Sequence, residues 1–120
     1  MKRPSELNES MSIYFFRDGI TPTWEDASNK NGGSFILRFE KSKCDKIWED
    51  VLLSLIGSQP DSIKGINGVR VKARRDNIAE IDIWVNDVYD HELLEIQREW
   101  ILQSCALNED TTIEATVFSN

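Results

Sequence analysis

The sequence predicts an α+β fold: a curved antiparallel β-sheet with helices packed on its convex face and the concave face left for a ligand. Three observations carry this. The elements run strand, strand, helix, strand, strand, helix, strand. The links between successive strands are short, which favours antiparallel pairing. Each helix has a single apolar side that needs a sheet to cover it.

Residues 1–10 are polar and read as a flexible lead-in to one domain covering 1–120. Ser12 to Arg17 is β-branched and aromatic, ends at Asp18-Gly19, and predicts a strand whose Tyr14 and Phe16 are expected in the core. Ser34 to Phe39 predicts a second strand, with Phe35, Leu37 and Phe39 on one face. A helix follows. Ser42 with Asp45 three residues on resembles a capping box, and Gly57 is the stop. Within it Cys44, Ile47, Trp48, Val51, Leu52, Leu55 and Ile56 recur at helical spacing, so Trp48 reads as core.

From Gly68 the chain alternates. Val69, Val71 and Ala73 point one way, and Arg70, Lys72 and Arg74 the other. Such a row of cations is either an ion-binding face or a solvated edge whose charges discourage aggregation. Arg75-Asp76-Asn77 predicts a turn, and Ile78 to Val85 a returning strand. There Ile81, Ile83 and Val85 face the core, while Glu80, Asp82 and Trp84 face away, so that Trp84 is expected to line a surface cavity. A second helix is capped by Asp87 or Asp90, with Leu93, Leu94, Ile96, Trp100, Ile101 and Cys105 as its buried side. Thr112 to Phe118 predicts the last strand.

The chain has 120 residues with 14 Lys and Arg against 21 Asp and Glu, a formal charge of −7. A protein that tracks long nucleic acid neutralises many phosphates with clustered cations, and this composition excludes that class. Recognition of one nucleotide at a strand end needs only a local cation cluster and stays open. The two cysteines, Cys44 and Cys105, lack zinc-ligand spacing and read as buried, reduced thiols of a cytoplasmic or nuclear protein, of which cytoplasmic is the expectation adopted. His91 is the only histidine, which leaves no Ser-His-Asp or Cys-His pairing to support an enzyme. Nothing in the sequence calls for a metal or a cofactor. No apolar run is long enough to cross a bilayer, so no membrane role is expected.

The loop between the first two strands holds Gly19-Ile20-Thr21-Pro22-Thr23-Trp24-Glu25-Asp26 and closes with Asn29-Lys30-Asn31-Gly32-Gly33. A ring face beside an acceptor-only carboxylate can stack a heterocycle and bind its N–H edge. On composition alone, the same residues read rather as a core plug and a solvated acid.

This segment resembles the signature of the eukaryotic translation initiation factor 4E family, proteins that bind the 7-methylguanosine cap of messenger RNA. Trp24 to Gly33 is especially similar to the 4E homologous protein branch. The likeness continues at Phe16-Arg17-Asp18-Gly19-Ile20, at Trp48-Glu49-Asp50-Val51-Leu52-Leu53-Ser54-Leu55-Ile56-Gly57, and at Ile81-Asp82-Ile83-Trp84, in the family's order. The resemblance implies that Trp24 stacks on the methylated guanine while Glu25 accepts its N1 and N2 hydrogens. It implies that Trp84 touches the N7 methyl group and that Arg74, assisted by Lys72 and Arg70, grips the phosphates. Methylation makes the base cationic, so ring stacking and an anionic acceptor both favour it over plain guanine.

The helix carrying Trp48, Glu49, Leu52 and Gly57 matches the convex surface that the family uses to bind partner peptides and scaffold proteins. The family's first stacking ring and a further partner-gripping tryptophan lie upstream of anything matched here. By this likeness the chain reads as a truncated or divergent short member, with Tyr14 or Phe16 as the candidate replacements for the ring. A family phosphate-binding lysine falls near Ala79 or Glu80, and Ser34 stands where one branch has arginine, so weaker grip on the triphosphate is expected. The alternative is an interaction module of the same fold with little cap affinity, and missing strands would leave a sheet edge through which two copies could pair.

Overall fold

The computed structural model describes residues 6–8, 11–17, 19–20, 31–57, 65–105 and 113–117. The elements are β1 (Ser12–Phe16), β2 (Gly33–Glu40), α1 (Lys41–Gly57), β3 (Ile66–Ala73), β4 (Ile78–Val85), α2 (His91–Ser104) and β5 (Glu114–Val117). Their order is the one the sequence predicts. All described strands join one antiparallel sheet in the spatial order β1-β3-β4-β2-β5. The two consecutive strands β1 and β2 are nevertheless not neighbours. The β3–β4 hairpin lies between them, so only that short link joins adjacent strands.

That hairpin is set by its turn. Asp76 and Asn77 take φ of 61° and 63°, a left-handed geometry that short polar side chains tolerate. Arg74 N–H then donates to Ile78 O at 2.8 Å, and Val71 faces Ile81 across the strands. Because side chains alternate, this register sends Val69, Val71, Ala73, Ala79, Ile81 and Ile83 to one face. Leu37 joins them from β2 opposite Ile81, and is fully buried.

Helix α1 covers this apolar face through Cys44, Trp48 and Val51, spaced four and three residues apart. It begins at Lys41, so Ser42 lies within the first turn and is not the cap that its spacing to Asp45 suggested. Ile56, counted with the apolar stripe from spacing alone, is 68% exposed and points outward. Helix α2 is capped by Asp90, whose Oδ1 accepts from Leu93 N–H at 3.1 Å; Asp87 instead accepts from Tyr89 N–H. Its buried stripe is Gln97, Ile101 and Leu102, continued by Cys105. Ile96, expected inside, is 58% exposed, because Gln97 takes the inward position.

Both thiols are buried, and burial pushes Cys44 and Cys105 up to about 12, which keeps them protonated. Of the lead-in predicted to be flexible, residues 1–5 and 9–10 lie outside the described set. Leu7 within it is buried, and its carbonyl accepts from Lys41 Nζ at 3.0 Å. No described helix is long and apolar enough to cross a membrane.

Candidate functional site

The face of the sheet opposite the helices carries the polar half of each alternation. Cross-strand register brings Gly68 and Ser34 beside Trp84, Arg70 and Ile36 beside Asp82, and Lys72 and Arg38 beside Glu80. Strand β1 adds Tyr14 next to Arg70 and Phe16 next to Gly68. A row of rings at one end thus passes into a row of ion pairs at the other.

At the aromatic end, the Phe16 ring stands edge-on to Trp84 with centroids 5.1 Å apart and planes at 79°. Tyr14 lies 6.2 Å from Phe16, and the Arg70 guanidinium sits 5.9 Å from the Trp84 centroid, within cation–π range. Gly68 makes this possible: a Cβ there would collide with the Phe16 ring. Two sequence expectations are corrected here. Tyr14 and Phe16 are not in the core but on the open face, since β1 pairs so that Ile13 and Phe15 meet Val71 and Val69 on the helix side. Trp84 lies on the predicted face yet is only 6% exposed, covered by Phe16 instead of lining an open cavity.

At the other end four basic side chains converge on Glu80, whose own side chain is 3% exposed. Oε1 accepts from Arg74 Nη1 at 2.8 Å and Arg38 Nε at 3.1 Å. Oε2 lies 3.4 Å from Lys72 Nζ and 3.9 Å from Arg70 Nη2. Arg70 is held mainly by Asp82, with Nε donating to Oδ2 at 2.8 Å, and Arg38 also bonds Glu114 at 2.9 Å. Burial pushes the Asp82 carboxyl up to about 6, aided by the adjoining Glu80 and opposed by Arg70. Burial would raise Glu80 too. Its bond with Asp82 and the charges of Lys72 and Arg74 outweigh that and hold it below the usual glutamate range. Above these pairs opens a cavity of about 530 Å³ lined by Arg38, Lys72, Ala73, Arg74, Arg75, Asp76 and Ile78.

The structure therefore brings Arg74, Lys72 and Trp84 onto one face, with the cations already partnered. Trp24 and Glu25 lie in the 21–30 segment, outside the described residues. Arg38 and Glu80 were not anticipated as parts of this cluster. The alternation of β4 beside that of β3 carried a signal for Glu80, but Arg38 needed the β2–β4 register.

On the helix side, Trp48 faces the sheet and is 3% exposed, so it supports α1 from beneath. Its indole N–H has no hydrogen-bond partner among the described residues. Glu49 and Gly57 are exposed and Leu52 is half-buried. Leu53, which sequence spacing did not single out, is 60% exposed and with Ile56 forms an outward aliphatic pair on the last turns of α1.

An antiparallel sheet backed by two helices, with rings and ion-paired cations on its open face, defines an α+β protein with a polar, ring-bearing sheet face. The chain belongs to the Eukaryotic initiation factor 4E family, whose description matches residues 1–120. It is 35% identical over 101 residues to the wheat (Triticum aestivum) eukaryotic translation initiation factor NCBP, covering 84% of this chain and 43% of that protein. The Arabidopsis thaliana factor of the same name is 41% identical over 92 residues, covering 77% of this chain and 41% of its own length. The chain thus spans less than half of these two relatives.

Among solved structures, Caenorhabditis elegans eIF4E-3 in complex with the 4E-binding protein Mextli and a cap analog superposes with a TM-score of 0.89 at 23% identity. That match covers 98% of this chain and 68% of the other. Schistosome eIF4E complexed with m7GpppG and 4E-BP gives 0.82 at 26% identity, covering 98% and 65%. These likenesses bear out the predicted α+β architecture.

Proposed function

We propose that this chain recognises the 7-methylguanosine cap of messenger RNA and acts, without catalysis, in translation initiation or its regulation in the cytoplasm. The observation that carries the reading is the joining of the ring cluster at Trp84 to the cation cluster at Lys72 and Arg74 on one sheet face. In a protein of charge −7, that local concentration of positive side chains suits an end-bound phosphate chain. Trp24 and Glu25 supply the stacking ring and the base-edge acceptor, as they do by likeness to the family. Tyr14 and Phe16 stand on the same face as Trp84, which supports either as a substitute for the upstream ring. The schistosome relative complexed with m7GpppG supports the ligand class.

The back of α1 supports a second contact of the same protein. Leu53 and Ile56, flanked by Glu49, Leu52 and Gly57, offer an aliphatic ridge to an amphipathic peptide, and the schistosome relative complexed with 4E-BP supports this partner class.

Quenching of tryptophan fluorescence by 7-methyl-GTP, compared with GTP, tests the cap reading. The expected result is at least tenfold tighter binding of the methylated nucleotide, abolished by Trp24→Ala. Equal affinities would refute it. Peptide capture with no nucleotide preference would leave the interaction module as the function.

A further inference from the structure

A cation cluster that binds phosphate normally keeps its donors turned to solvent. Here they turn inward. Arg74, Arg38 and Lys72 line the 530 Å³ cavity, yet each also reaches the single carboxylate of Glu80 beneath it, at 2.8, 3.1 and 3.4 Å. The carboxylate is almost wholly buried while the cations are partly exposed, so water weakens these attractions only in part. Oε1 accepts one N–H from each of two guanidinium groups, charge-assisted bonds of the kind a phosphate oxygen would also make. Arg75 and Asp76 at the rim add charges of opposite sign, and among the described residues Arg75 makes no ion pair.

Resting on the cap reading, we propose that Glu80 is a specificity-determining residue: an internal carboxylate that competes with the ligand's phosphates for Arg38, Lys72 and Arg74. A first phosphate uses the donors that Glu80 and Glu114 leave free, namely the remaining nitrogens of Arg74, Nη2 of Arg38, and Arg75. Each further phosphate has to draw the same cations away from a buried anion. The site therefore gains little from a triphosphate over a monophosphate and selects by the base more than by the charge of the chain attached to it. Glu80 touches the binding cations and not the base, so it tunes how phosphate number is read.

The experiment is calorimetric titration of the whole chain and of Glu80→Gln with 7-methyl-GMP, 7-methyl-GTP and inorganic tripolyphosphate, at two salt concentrations. The wild type is expected to bind 7-methyl-GTP and 7-methyl-GMP within a few-fold of each other. In Glu80→Gln the ratio should rise about tenfold, as each freed charge-assisted bond strengthens the contact. Tripolyphosphate affinity should rise in parallel, with a steeper salt dependence. A purely structural role for Glu80 would weaken all ligands together and leave the ratio unmoved.

An unchanged ratio and unchanged tripolyphosphate affinity in the folded variant would overturn the proposal while leaving cap recognition intact. If 7-methylguanosine nucleotides bind neither protein but tripolyphosphate binds the variant more tightly, the cap reading fails and the competitor role stands. Should Glu80→Gln not fold, Glu80→Asp draws the charge back by one methylene. It is expected to raise the ratio in the same direction by a smaller factor, and no rise there would equally overturn the proposal.

Discussion

Replacing Asp82 by asparagine isolates what a buried acid costs this sheet. In the folded chain the Asp82 carboxyl titrates at about 6 against an ordinary 3.8, because burial disfavours its anion and Glu80 lies beside it. A folded value above the unfolded one means that the native state binds the proton more tightly. The stabilisation is complete below about pH 4 and is lost as the pH rises through about 6. At 1.36 kcal/mol per unit, the change across that window is about 3 kcal/mol. An asparagine amide does not titrate in this range, so the variant lacks this slope.

Urea unfolding of both proteins between pH 4 and 7 measures the effect. The stability of wild type minus that of Asp82→Asn should fall as the pH rises, by roughly 2–3 kcal/mol, with the change centred between pH 4 and 6. A difference that stays flat across the window, or one that grows with pH, would show that Arg70 fully compensates the buried charge and that burying Asp82 costs the sheet nothing.

Gly68→Ala places a Cβ against the Phe16 ring, displacing it from Trp84. The expected cost is about 1–3 kcal/mol of stability, read from thermal unfolding, together with greater accessibility of Trp84 to acrylamide. Leu37→Ala removes a fully buried side chain from the core and should cost about 2–5 kcal/mol in urea. Leu53→Glu with Ile56→Glu alters only exposed positions, so stability should shift by less than about 0.5 kcal/mol per site. Binding of a 4E-binding peptide, measured by fluorescence anisotropy, should nonetheless fall by more than tenfold.

How much of this could be read in advance depended on where the pattern had parity. Strand β3 alternates apolar and polar residues from Val69 and β4 from Ala79 to Ile83, so the faces of Arg70, Lys72, Arg74, Glu80 and Asp82, and by continued parity Trp84, followed from the sequence. Tyr14-Phe15-Phe16 is aromatic throughout and has no parity to read. Only pairing with β3 decides which rings leave the core.

The helices failed in the opposite sense. Ile56 and Ile96 sit at spacings compatible with burial, but apolar residues occupy more than one side of each helix, and contact with the sheet selects the stripe. Gln97 inside α2 is a polar residue in a buried position, which no hydrophobic pattern reports. The roles proposed for Trp24 and Glu25 rest on likeness to the family, since both lie outside the described residues. The Glu80 cluster joins three strands, and cross-strand register exists only once the sheet is assembled.

Under the proposed function, one sheet face reads a methylated guanine and its phosphates together. Nitrogen-15 correlation spectra of the labelled chain, recorded with 7-methyl-GTP and again with GTP, test it most directly. Saturable shifts of the Trp84 and Trp24 indole N–H and the Arg74 side-chain N–H signals are expected at concentrations of 7-methyl-GTP where GTP leaves them unmoved. Shifts of equal size with both nucleotides, or shifts confined to the α1 surface, would contradict it.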